Sequence, residues 1–146
     1  MPLTVEKLYD GTVIDHIPAG NGLTVLGILH IDEDYHGRVA LVMNVPSKAM
    51  GKKDIVKIQG KHIEGKTADK IAVIAPKATL NLIKKGKVVE KRKVTLPEKM
   101  VGVFNCPNSK CVTNLEKMQT RFSTVGGNKY RCTYCERVFT GEELEE

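Results

Sequence analysis

Tryptophan is absent from this sequence, and phenylalanine and tyrosine together supply only 5% of its 146 residues. Proteins that bind single-stranded nucleic acid stack bases on aromatic side chains, so this scarcity weighs against that class. No apolar run approaches the roughly 20 residues needed to span a bilayer. The opening residues, Met1-Pro-Leu-Thr-Val-Glu-Lys7, lack the apolar core of a secretory signal. A cytoplasmic protein with reduced thiols is therefore expected. Internal repeats and low-complexity segments are missing. No serine or cysteine nucleophile stands near the one Asp-His pair, Asp15-His16, so covalent catalysis is poorly supported.

Cysteine is scarce but concentrated. All 4 cysteines lie in Cys106-Pro-Asn-Ser-Lys-Cys111 and Cys132-Thr-Tyr-Cys135. Two short hooks joined by a hairpin-length insert can close four thiolates round one ion. Zinc prefers that tetrahedral sulfur shell, and four protein ligands leave no position open for water or substrate, so the expectation is a structural zinc. A rubredoxin-like iron site shares the spacing, and disulfides would require an oxidising compartment. Pro107, Asn108 and Ser109 suit a tight first hook whose backbone N–H groups point at sulfur, and Gly126-Gly127-Asn128 mark a turn in the insert.

What is plentiful is positive charge: 23 Lys and Arg against 17 Asp and Glu give a net charge of +6. Such a balance favours polyanionic partners, whether nucleic acid, nucleotides or an acidic protein surface. The length allows two small domains. The stretch from Pro97 is too short for a comfortable core, and a bound metal would supply what the core lacks.

In chain order, Val5–Leu8 and Thr12–Ile17 read as short strands or one bent strand. Leu23–Leu29 carries a helical apolar stripe with Asn21 as N-cap. Arg38–Asn44 is an apolar strand, and Lys53–Ile58 is the next, with Ile55 set against Lys57. Thr67–Ala75 has helical spacing and ends at Pro76. Ala78–Ile83 and Lys87–Val94 are the last strands of this half. The order β-α-β-β-α-β predicts an α+β, ferredoxin-like domain over 1–96, an antiparallel sheet with two helices on one face. A small all-β zinc-binding domain over 97–146 follows, with strands Val101–Asn105, Arg121–Val125, Tyr130–Cys132 and Arg137–Thr140. The acidic end, Glu142–Glu146, is a solvated tail or a last helical turn.

Gly60-Lys-His-Ile-Glu-Gly-Lys-Thr67 matches the phosphate-loop pattern letter for letter. Its Glu64 would put a carboxylate where polyphosphate must bind, and that loop works on a parallel sheet, so the match reads as chance. Asp15-His16 alone is open to three readings: a catalytic pair, a ligand pair, or a hydrogen-bonded strand end. Single lysines such as Lys57, Lys91 and Lys93 read as solvated charge.

Several stretches together resemble one family, the regulatory chain of aspartate carbamoyltransferase. They are Gly11-Thr-Val-Ile-Asp-His-Ile-Pro18, Met50-Gly-Lys-Lys-Asp-Ile-Val-Lys-Ile58, Ala75-Pro-Lys-Ala-Thr-Leu-Asn81, Leu96-Pro-Glu98 and the cysteine quartet with Glu136. The resemblance implies a non-catalytic subunit of pyrimidine biosynthesis. Its first domain would bind the nucleotide effectors CTP, UTP and ATP and pair with a second copy of itself. Its zinc domain, with Cys106, Cys111, Cys132 and Cys135 as ligands, would dock on the catalytic chain and so link catalytic trimers. Carried over by motif, Asp15 and His16 would line the pocket near ribose and phosphates, and Lys57 would meet base and sugar. Asn81, Ile83 and Val88 would flank it, and Lys91 would meet the triphosphate. Val5, Glu6 and Leu8 would present backbone groups to the base. The loop around Leu82 and Lys84-Lys85-Gly86 departs from the family pattern in being plainer and more basic, and Gly86 cannot pack against a base, which leaves effector preference open. The alternative from another class is a zinc-ribbon protein that binds nucleic acid, supported by charge and hooks and opposed by the few aromatics.

Overall fold

The computed structural model describes residues 9–63 and 65–145. They fall into two compact units, Met1–Val94 and Thr95–Glu146. Among the described residues no helix is long and apolar enough to cross a membrane.

The first unit runs β1 (Gly11–Pro18), α1 (Gly22–Ile28), β2 (Val39–Ser47), β3 (Gly51–Gln59), α2 (Gly65–Ile74), β4 (Thr79–Lys84) and β5 (Lys87–Lys93). Its sheet has the order β2-β3-β1-β4-β5, antiparallel throughout. This is the expected ferredoxin-like arrangement, extended by β5 beyond β4. Side chains alternate across a strand. In β3 this buries Asp54, Val56 and Ile58 on the helix side. The odd-numbered Lys53, Ile55 and Lys57 share the opposite face. Setting Ile55 against Lys57 was therefore wrong: residues two apart in a strand point the same way. Ile14, Ile17, Val56, Ile58 and Leu80 from the sheet, with Val25, Ile71 and Ala72 from the helices, form the core.

Two irregularities face each other across β3. The β1–β3 register shifts between Ile14 and Ile17, and the β2–β3 register shifts between Val42 and Val45. Each bulge contains a residue with left-handed backbone, His16 at φ 60° and Asn44 at φ 60°. Asp54, fully buried, lies level with both. Its Oδ1 accepts the N–H of Asn44 (3.0 Å), and its Oδ2 accepts the N–H groups of Gly20 (3.0 Å) and Gly22 (2.9 Å). Asn21 occupies the N-cap position of α1 but makes no side-chain cap bond. It donates instead to the Ile74 carbonyl (3.2 Å), and Asp54 serves the helix start in its place.

The second unit runs β6 (Lys99–Val101), α3 (Val112–Leu115), β7 (Arg121–Gly126), β8 (Lys129–Cys132), β9 (Val138–Thr140) and α4 (Gly141–Glu145), with the sheet order β6-β7-β8-β9. The strand expected over Val101–Asn105 stops at Val101. Gly102, at φ 67°, turns the chain, and Val103 and Phe104 enter the core instead. The hairpin between β7 and β8 has Gly127 and Asn128 as its two loop residues, at φ 55° and 62°. That is the turn geometry matching strand twist. Of the acidic end, residues 142–145 lie in the short α4. Met100, Phe122, Tyr130, Phe139 and Leu144 are buried, and the Phe122 and Phe139 rings meet edge to face at 6.4 Å. A core this small supplies only about 3–5 kcal/mol, hence the need for a metal staple.

The close approach at Gly22 gives a direct test. A Cβ there would come within 2.6 Å of Leu41 Cδ1 and 2.9 Å of Asp54 Oδ2, whereas one at Gly27 would meet nothing within 4 Å. Gly22→Ala should destabilise the chain by about 1–3 kcal/mol. Gly27→Ala should stabilise it by about 0.4–1 kcal/mol. Urea unfolding followed by far-ultraviolet circular dichroism measures both.

Candidate metal centre and ligand face

The first hook is shaped by its own side chains. The Asn108 carbonyl accepts the Cys111 N–H (2.9 Å), and Asn108 Oδ1 accepts the Lys110 N–H (3.1 Å). Asn114 Nδ2 then ties the hook to α3, donating to the carbonyls of Cys106 (2.9 Å) and Asn108 (2.8 Å). In the second hook Glu136, at φ 63°, donates its N–H to the Cys132 carbonyl (2.8 Å). The four sulfurs all lie within 4.8 Å of one another. Cys106 and Cys135 are 3.8 Å apart, as are Cys111 and Cys132. A zinc–sulfur distance near 2.3 Å gives a tetrahedral edge of about 3.8 Å, so the quartet has the dimensions of one structural zinc site.

The sulfurs are not equivalent. Burial pushes the Cys106 thiol well above the usual thiol range, against the lowering effect of the Asn108 N–H. Burial also raises Cys132, despite N–H groups from Cys135 and Tyr134. At Cys111 burial acts upward too, but the Thr113 hydroxyl and N–H outweigh it, and the thiol falls to about 7. The Thr113 Oγ1 donates to Cys111 Sγ at 3.2 Å. Backbone N–H groups do point at the sulfurs, as the hook sequence suggests. Thr113 and Asn114 were missed by sequence reasoning, and their only signal was adjacency to Cys111.

The second feature is the sheet face away from the helices. Directly opposed residues on antiparallel strands share a face. The register places Ala40, Lys57, Val13, Asn81 and Lys91 in one row across all five strands. Asp15, Thr79 and Lys93 form the next row, and Gly11, Ile83 and Val88 the row on the other side. Asp15, Lys57, Asn81, Ile83, Val88 and Lys91 thus share one surface, reached from four strands. His16 stands at its edge, in the β1 bulge. Its N–H donates to Asp15 Oδ1 (2.6 Å), and its Nδ1 is hydrogen-bonded to Thr79 Oγ1 (2.9 Å). Val5, Glu6 and Leu8 lie outside the described residues.

Lys53 belongs to this face and was overlooked. Its Nζ pairs with Asp15 at 3.0 Å from Oδ1 and 3.2 Å from Oδ2. Strand alternation with Lys57 was the available signal. The 360 Å³ cavity lined by Thr12, His62, Ile63, Leu80, Leu82, Lys84, Glu90 and Arg92 opens on the opposite, helix-side face and contains none of these residues. The phosphate-loop lookalike follows an antiparallel strand. Its Lys61 is engaged at both ends: its carbonyl accepts the Thr12 hydroxyl (2.6 Å), and its Nζ donates to the Leu29 carbonyl (3.0 Å). The Ile63 carbonyl accepts from Arg92 (2.9 Å).

Raised thiols fix the pH dependence of the metal site. Cys106 and Cys132 hold their protons at neutral pH, so zinc must displace about two protons or more on binding there. Affinity therefore rises with pH and falls on acidification. Chelator competition between pH 6.5 and 8, with calorimetry in buffers of different ionisation heats, should show that release. A pH-independent affinity would contradict it.

Comparison with known proteins gives matches along nearly the whole chain. Residues 3–95 match the family model of the aspartate carbamoyltransferase regulatory chain, allosteric domain, and residues 98–145 match its metal binding domain. The aspartate carbamoyltransferase regulatory chain of Pyrococcus horikoshii is 49% identical over 145 residues, covering 97% of this chain and 95% of that one. That of Thermococcus gammatolerans is 46% identical over 144 residues, with 97% and 95% covered. That of Tolumonas auensis is 42% identical over 147 residues, with 99% and 95% covered. With both units matched in order and the cysteine quartet in place, the chain belongs to the aspartate carbamoyltransferase regulatory chain family, a regulatory and not a catalytic subunit.

Proposed function

We propose that the helix-free face of the first unit binds the nucleoside triphosphates CTP, UTP and ATP as allosteric effectors. The observation that carries this reading is the row Lys57–Val13–Asn81–Lys91. It spans three strand spacings, on the order of 14 Å, with a cation at each end. A triphosphate needs charge-assisted donors, which Lys91 and neighbouring Lys93 supply. Asn81 already donates weakly to the Val13 carbonyl (3.5 Å), so its amide is oriented beside the row. Asp15 offers acceptors for ribose hydroxyls and His16 an imidazole at the phosphate side. Ile83 and Val88 give an apolar flank for the base, and Val5, Glu6 and Leu8 are assigned to its polar edge by family resemblance. Hydrolysis requires a positioned water and a base, and no role here calls for either.

The two units divide the work. Residues 1–96 form the effector domain and pair with a second copy of this chain. Residues 97–146 dock on the catalytic chain. Val112, Leu115 and Met118 beside the first hook, and Tyr134 within the second, are exposed apolar side chains that fit such a docking surface. Zinc holds both hooks in one geometry and so keeps that surface rigid. Regulation is then a population shift: an effector moves the quaternary equilibrium only by its difference in affinity for the two states. The chain works in the cytoplasm, where its thiols stay reduced.

Calorimetric titration of the zinc-loaded chain with CTP tests this, repeated for Lys91→Ala and in the presence of a short oligonucleotide. Saturable CTP binding, weakened about tenfold or more by the substitution and indifferent to the oligonucleotide, is expected. Tight, salt-dependent oligonucleotide binding without CTP heat would overturn the reading in favour of nucleic acid.

A further inference from the structure

Asp54 is a buried carboxylate with no place among the residues that would touch a nucleotide. It lies on the helix side of β3, yet it is flanked on that strand by Lys53 and Ile55, which belong to the opposite face. Its three acceptor bonds reach three separate places: Asn44 in the β2 bulge, Gly20 in the turn after β1, and Gly22 at the start of α1. The β1 bulge that presents Asp15 and His16 closes at the pair Ile17↔Asp54. The β2 bulge closes at Val45↔Lys53. Asp54 thus holds the β2 bulge by a hydrogen bond and stands opposite the residue where the β1 bulge ends, and its neighbour Lys53 carries the ion pair to Asp15.

We propose that Asp54 is a positioning residue for the effector face, and that occupancy of that face is transmitted through it to the β2 bulge and the start of α1. The inference rests on the nucleotide reading of that face. A phosphate or ribose group engaging Lys53 or Asp15 redirects their ion pair and so pulls on the peptide between Lys53 and Asp54. The Asp54 carboxylate is held on both oxygens and cannot follow without changing its bonds to Asn44, Gly20 and Gly22. The β2 strand, outermost in the sheet order, and α1 are therefore the elements that sense the ligand.

Asp54→Asn keeps the size of the side chain, but an amide accepts at only one atom, so either Asn44 or the glycine pair loses its acceptor. The test is CTP titration of this variant and of the parent chain, both zinc-loaded. Amide hydrogen exchange of the parent is followed with and without saturating CTP. The proposal expects exchange at Asn44, Gly20 and Gly22 to change by about threefold or more on CTP binding. It also expects Asp54→Asn to bind CTP about tenfold more weakly, with zinc content unchanged. Exchange in the parent decides the matter even where the variant fails to fold. Parent chain that binds CTP with those three amides unaffected, or a folded variant of unchanged affinity, overturns this inference alone. Parent chain that gives no CTP heat overturns the nucleotide reading and this inference together.

Discussion

A carboxylate sealed from water must be met by donors, and in the first unit that requirement organises the surrounding backbone. Asp54 is fully buried and takes three backbone N–H groups from segments that are far apart in sequence. Leaving such a group unmatched would cost several kcal/mol. The demand is met only if β2 bulges at Asn44, the chain turns tightly after β1, and Gly22 keeps its close approach. The first of these is the β2 register shift itself, and the β1 bulge that presents Asp15 and His16 ends at the pair Ile17↔Asp54. The regular part of the sheet supplies a flat row of side chains, and the irregular part shapes its end.

The second unit depends on another constraint. Its four sulfurs come within 4.8 Å of one another, a spacing that only a shared cation makes favourable once the thiols ionise. The surrounding bonds prepare for that charge: Thr113 to Cys111, and backbone N–H groups to Cys106 and Cys132. Asn114 fixes the hook from outside the ligand shell, the kind of support that orients metal ligands. The apolar residues proposed for docking hang on these same hooks, so metal and surface are linked through a few residues of backbone.

Much of this was legible in the sequence. The Gly127-Asn128 turn and the cysteine spacing follow local rules, and the antiparallel α+β sheet follows from the order of the elements. What was not legible depends on register. Lys53 became visible as Asp15's partner only when β1 and β3 were aligned through a bulge. Nothing in the sequence singles out Asp54 in its lysine-rich strand, because burial is decided by which face the helices cover. The expected strand through Asn105 failed at a single backbone turn at Gly102, where apolar Val103 and Phe104 gave no hint of the change in direction.

A crystal structure of the zinc-loaded chain with CTP tests the central claim most directly. The account predicts the nucleotide on the helix-free face, its phosphates at Lys91 and its sugar near Asp15 and Lys57. Nucleotide bound instead in the helix-side cavity between His62 and Arg92, with the Lys57–Lys91 row bare, would contradict it.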